Sequence, residues 1–169
     1  MSEHDGELTI DGEQAVLTFV RRLPYPVEAV WAAIADPRHR AAWFGETTLD
    51  GRAGGTIDMV PKEPPTPDAD KRMTGRILVW EPPHVLEHEW RQALVGDSVV
   101  RYELSRDGDG TLLRFTHRGL RVSRARGFLP GTHAYLDRLA AHLAGAELPG
   151  WVARYRALAP GYRRATAAR

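Results

Sequence analysis

Between Gly45 and Leu120 the chain breaks into short apolar segments separated by Gly, Pro and Asp, and no other feature of the sequence restricts the fold as much. Segments of this length, rich in β-branched and aromatic residues and closed by turn formers, are the pattern of antiparallel strands joined by tight connections. Six strands are predicted there, near 46–49, 54–60, 74–81, 84–91, 98–105 and 111–118. The clearest hairpin signal is Arg106-Asp107-Gly108-Asp109-Gly110, because Asp-Gly pairs tolerate the positive φ that a tight hairpin requires. Pro82-Pro83 marks a second corner. Residues 61–70, PKEPPTPDAD, hold four prolines and cannot extend a ladder, so a mobile loop is expected and is the one candidate for a lid.

The flanks supply helices. QAVLTFVRRL, residues 14–23, reads as a first strand ending at Pro24. Pro26 then opens a short helix carrying Val30, Ala33 and Ile34 at helical spacing, and Asp36-Pro37 starts a second that reaches Trp43-Phe44. Beyond a polar link rich in Arg and Gly, Thr132 is placed to cap a longer helix whose Leu136, Leu139, Ala140 and Leu143 form an apolar stripe ending at Gly145. Trp151, Tyr155 and Leu158 follow at i, i+4, i+7, which predicts a short helix within Leu148–Leu158 and a frayed RRATAAR tail. The expected organisation is a flexible 1–13, one domain over 14–145 and a C-terminal extension over 146–169.

Composition narrows the function. A length of 169 residues fits about one domain, and 43% hydrophobic with 27% charged residues describes a globule with a core. A formal net charge of +1 provides no bulk field for nucleic acid or anionic lipid, and all basic residues but Lys62 and Lys71 are arginines. Arg118, Arg121, Arg124 and Arg126 form the densest basic run, but only Phe128 stands near them to stack on a base. Absence of cysteine excludes disulfide scaffolds, thiolate nucleophiles and zinc ribbons. No apolar run approaches the roughly 20 residues of a membrane span, so a cytoplasmic protein without membrane insertion is expected.

The order strand, two short helices, meander and long helix resembles the START-like helix-grip superfamily. PVEAVWAAIADPRHRAAWF, GRILVWEPPHVLEHEW, SVVRYELSRDGDGTLLRFTHRGL and HAYLDRLAAHLAG follow in turn the pattern of its branch named for the activator of Hsp90 ATPase, over residues 14–145. One departure stands out: Thr132 occupies the place before the helix His where many relatives carry Trp. The resemblance implies an α+β helix-grip fold, a curved antiparallel sheet of about seven strands wrapped around the long C-terminal helix. It also implies a cavity between the two. In that superfamily such cavities take small apolar or amphipathic molecules, some members do cyclase or dehydratase chemistry, and a few contact a chaperone; no catalytic set is shared.

Strand alternation then sorts the residues by face. The predicted cavity lining is Leu78, Trp80, Leu86, His88, Trp90, Val100, Tyr102, Leu113, Phe115 and His117 from the strands, with Leu136 and Leu139 from the helix. Glu87, Glu89, Arg101, Glu103 and Arg114 are expected outward. His88 and Tyr102 are the candidates for acid or base chemistry, although a buried histidine that merely bonds to a neighbouring strand is the commoner arrangement. His84 and His88 would stand about 13 Å apart on a strand and could not chelate together. Gly51, Gly54 and Gly55 lack the Lys and helix of a phosphate loop, and no Gly-x-Ser-x-Gly elbow exists. The expected function is binding of a small hydrophobic molecule without metal or cofactor. A chaperone-interaction module and a cyclase-like enzyme are the alternatives, with self-association possible through the C-terminal aromatics.

Overall fold

A computed structural model describes residues 3–167. Its eight strands are β1 (Glu7–Asp11), β2 (Gln14–Leu23), β3 (Gly45–Leu49), β4 (Thr56–Pro61), β5 (Met73–Glu81), β6 (Val85–Gln92), β7 (Gly96–Asp107) and β8 (Gly110–Arg121). They form one open antiparallel sheet in the order β1-β2-β8-β7-β6-β5-β4-β3. The helices are α1 (Val27–Ala35), α2 (Pro37–Trp43), the single turn α3 (Asp68–Lys71), α4 (Val122–Leu143) and α5 (Trp151–Ala167). None is long and apolar enough to cross a membrane.

The six strands of the meander and the strand over 14–23 fall where the sequence places them, and α2 begins as expected, with the Asp36 carboxylate accepting from the Arg38 amide at 2.9 Å. Three expectations need correction. The sheet has eight strands rather than about seven, because Glu7–Asp11, within the stretch expected to be flexible, folds back on β2 in the register Asp11↔Gln14 to Glu7↔Thr18. Gly12, at φ +62°, makes that turn, a geometry open to glycine at little steric cost. Residues 1–2 lie outside the described residues.

The long helix begins at Val122, ten residues before the Thr132 cap position, and carries Gly127, Pro130 and Gly131 inside it. Propensity disfavours such a start, and packing overrides it: Ala125, Leu129 and Pro130 are buried and continue the stripe that runs through Leu136 and Leu139. The basic link is therefore helix, with Arg124 and Arg126 exposed on its outer side. Finally, α5 extends to Ala167 instead of ending near Leu158; Arg163–Ala167 of the expected tail continue the helix, and 168–169 lie outside the described residues.

All of α1, α2 and α4 pack on one face of the sheet, and that inner face supplies the core: Leu17, Phe19, Ile57, Met59, Ile77, Leu86, Val100, Leu113 and Phe115 are almost fully buried. The α5 helix packs mainly on α4 and adds the buried Tyr162 to the core. Against α4, Trp151 donates from Nε1 to the Gly131 carbonyl at 3.0 Å and stacks toward Tyr135 and Tyr155.

Candidate ligand-binding interior

Register places the inner-face side chains in rows. Ile77, His88, Val100, His117 and Leu17 are successive partners across β5, β6, β7, β8 and β2. Trp80, Leu86, Tyr102, Phe115 and Phe19 make the next row. Eleven of the twelve lining residues expected from the sequence therefore lie on the inner face or on α4 facing it. Leu78 does not: it is 40% exposed. A bulge between Ile77 and Val79 puts an extra residue in β5, so the alternation slips, Ile77 takes the inward place and Leu78 turns out. Trp80 recovers the inner face but is half-buried, with its ring edge-to-face against Trp31 of α1 at 5.2 Å.

His88 is fully buried. Its Nδ1 lies 2.9 Å from the backbone oxygen of Glu89. A carbonyl can only accept, so Nδ1 carries the proton and Nε2 is left as a lone-pair acceptor, and no partner reaches it. Burial pushes the imidazole down to about 4, with the Arg40 charge adding in the same direction and the Glu89 hydrogen bond opposing it, so it is neutral at physiological pH. His117 is pushed down to about 3 by burial and by His88. It differs in being satisfied: Nε2 lies 2.7 Å from the Ser98 hydroxyl. Trp90 stands between the two imidazoles, stacked on His88 at 6.4 Å and tilted on His117 at 4.9 Å, and Phe128 of α4 closes the group edge-on to both Trp90 and His117.

Tyr102, the other acid or base candidate, is one row away, edge-to-face with Phe115 at 5.1 Å. The structure thus groups His88 with His117 and Trp90 rather than with Tyr102. Glu87 points outward as expected yet is 8% exposed, because Arg101 and Arg118 cover it at 2.8 and 3.0 Å. Burial alone would raise its carboxyl; the two guanidiniums more than offset this and hold it below the ordinary carboxylate range.

Four features of the interior carry no simple sequence signal. Phe128 reaches His117 and Trp90 only because α4 starts early. Tyr135 of α4 ties down the proline-rich loop, its hydroxyl donating to the Glu63 carbonyl at 2.7 Å and accepting from the Glu63 amide at 3.2 Å. His39 of α2 and His142 of α4 meet at 2.9 Å. Arg40 of α2 is fully buried over β3 and β4. Of these, only Phe128 could have been found, since Ala125, Leu129 and Leu136 extend the helical spacing upstream of Thr132.

Clefts occur outside this interior. One of about 490 Å³ runs along the outer side by the β1–β2 hairpin, past Asp11, Val16, Glu89 and Arg118. Another, of about 450 Å³, separates α4 from α5 and is walled by Leu129, Tyr155, Ala159 and Tyr162.

The family model described as Activator of Hsp90 ATPase homolog 1-like protein matches residues 24–144. The chain belongs to this family. Solved structures agree in fold. This AHSA1-like chain is similar to CalU16 from Micromonospora echinospora, at 26% identity and a TM-score of 0.72 over 95% of this chain and 93% of that one. It is similar to the protein encoded by gene BPP1335 of Bordetella parapertussis, at 29% identity and a TM-score of 0.71 over 96% and 92%. The conserved protein EF2215 of Enterococcus faecalis, at 13% identity, shares the fold at a TM-score of 0.72 over 96% and 90%. The chain matches none of the curated proteins. The AHSA1-like domain is thus an α+β helix-grip fold, and its family is one of ligand binding in general.

Proposed function

We propose that this AHSA1-like protein binds a small hydrophobic or amphipathic molecule between the inner face of the sheet and α4. The observation that supports this reading is the idle Nε2 of His88, a buried acceptor inside an aromatic wall of Trp90, His117 and Phe128. Buried polar atoms are nearly always partnered, and an interior that leaves one free is suited to a ligand donor such as a hydroxyl. Native mass spectrometry of gently purified protein tests it. A defined extra mass that disappears on unfolding is expected, and His88→Phe should change which molecules are retained while the fold survives. Failure of native protein to hold any member of a hydrophobic ligand panel would overturn the reading.

The same neutral imidazole is also the group a cyclase or dehydratase would use as a base, with Tyr102 as its acid partner. Their separate surroundings favour His88 alone in that role. The family description supports a further reading, contact with a chaperone through an outward surface. Pull-down against a chaperone and stimulation of its ATPase distinguish that module from a carrier.

A further inference from the structure

Arg40 is a fully buried arginine, and a guanidinium stays protonated wherever it is put. Every group it touches is neutral. Nη1 donates to the Ile34 carbonyl at 3.0 Å, Nη2 to the Met59 sulfur at 3.0 Å and Nε to the Thr47 hydroxyl at 3.4 Å, while the rings of Trp43 and Phe44 lie 5.4 and 4.7 Å from its central carbon. No carboxylate pairs with it among the described residues. The other buried arginine among the described residues is treated differently, since Arg21 has Asp137 at 2.9 Å. A buried charge without a counter-charge is among the costliest arrangements in a protein interior. Two of the three contacts to Arg40 are also weak, one to a thioether and one at the limit of hydrogen-bond length.

Resting on the interior-binding reading above, we propose that the molecule bound there carries a carboxylate, which Arg40 holds by taking the place of the Met59 and Thr47 contacts. A carboxylate suits the planar fork of a guanidinium and can accept two parallel N–H bonds from it, which neither a thioether nor a single hydroxyl can do. The surface comes close to it. A cleft of about 410 Å³ between α2, β3 and the proline-rich loop is walled by Pro37, Ala41, Thr47, Lys62 and Lys71 among others. Thr47 is at once a wall of that cleft and a partner of Arg40, so the guanidinium lies one side chain below the surface. Glu46 and Asp68 share the cleft, and Asp68 stands 3.9 Å from the Lys71 ammonium.

The test compares decanoate and 2-naphthoate with their methyl esters by titration calorimetry on native protein, Arg40→Met and Arg40→Lys. Native protein should bind each acid about ten-fold tighter than its ester. In Arg40→Met that preference should collapse to within about two-fold, and Arg40→Lys should retain part of it, since a point charge replaces a bidentate fork. The native comparison stands by itself if Arg40→Met does not fold. Esters binding as well as acids would overturn the carboxylate assignment and leave interior binding intact, and a preference that survives in Arg40→Met would place the anion elsewhere. Binding of neither acids nor esters would overturn both.

Discussion

His88 donates from one ring nitrogen and leaves the other without a partner in a buried, aromatic surrounding. An unmade hydrogen bond at a buried site costs roughly 1–3 kcal/mol. His88→Leu removes this idle atom together with the Nδ1 bond to the Glu89 carbonyl, so the gain and the loss, each about 1 kcal/mol, should nearly cancel and leave the urea midpoint of the ligand-free protein close to the native one at unchanged slope. A lower midpoint would mean that Nε2 is already satisfied. The inward direction of His88, Val100, Tyr102, Phe115 and His117 was legible because a strand repeats every two residues and these strands are regular. Leu78 was misread because nothing local announces the bulge beside it. Arg40 was illegible for another reason: it sits in a polar-looking helix, PRHRAAW, where an arginine is exposed by default, and only the third dimension shows which one turns inward.

At the scale of elements, strand boundaries were legible from turn residues, whereas the start of α4 and the length of α5 were hidden by glycines and prolines that packing overrides. The contact between these two helices depends on small spaces and on one acid. A Cβ on Gly131 would come within 3.3 Å of the Trp151 ring, so Gly131→Leu should lever α5 off α4, a destabilisation of about 1–3 kcal/mol that limited proteolysis would detect as new cleavage after residue 145. Asp137 of α4 binds Arg21 of β2 at 2.9 Å and Arg154 of α5 at 2.6 Å. Asp137→Asn leaves the buried Arg21 charge without its partner, and a loss of about 3 kcal/mol in chemical denaturation is expected. The double variant Arg21→Met/Asp137→Leu should recover most of it, as replacing both members of a buried pair usually does.

For the molecule as a whole, the architecture was readable because the family pattern and the alternation of the strands agree, while the occupant of the interior was not, since a ligand's identity is written in distances between elements rather than in any one of them. The buried histidines also give the whole fold a pH dependence. His88 is pushed to about 4 and His117 to about 3, in each case chiefly by burial, against 6.5 when unfolded. Between those values the unfolded chain binds more protons than the native one, so stability is complete above pH 6.5 and falls as pH drops toward 4, by on the order of 3 kcal/mol for each histidine. His133, pushed to about 4 by burial with Asp137 pulling the other way, acts in the same direction. Urea midpoints measured from pH 7.5 to 4.5 should decline, and His117→Phe should flatten the decline; a flat profile in the native protein would show that these imidazoles are hydrated.

The Gly6 amide donates to the Tyr162 hydroxyl at 2.8 Å, which ties the residue just before β1 to the last helix. Two segments distant in sequence are therefore held side by side next to β1, while the 107–109 turn between β7 and β8 is exposed. Strand neighbours would be the same if a linker joined those two segments and the chain were instead opened at that turn, because cuts at exposed loop tips are the ones folds tolerate. The sequence order of these elements is thus one of at least two ways to string the same shape, and a circular permutant beginning at Gly110 would carry its new termini at the β7–β8 turn, two strands in from the β1 edge.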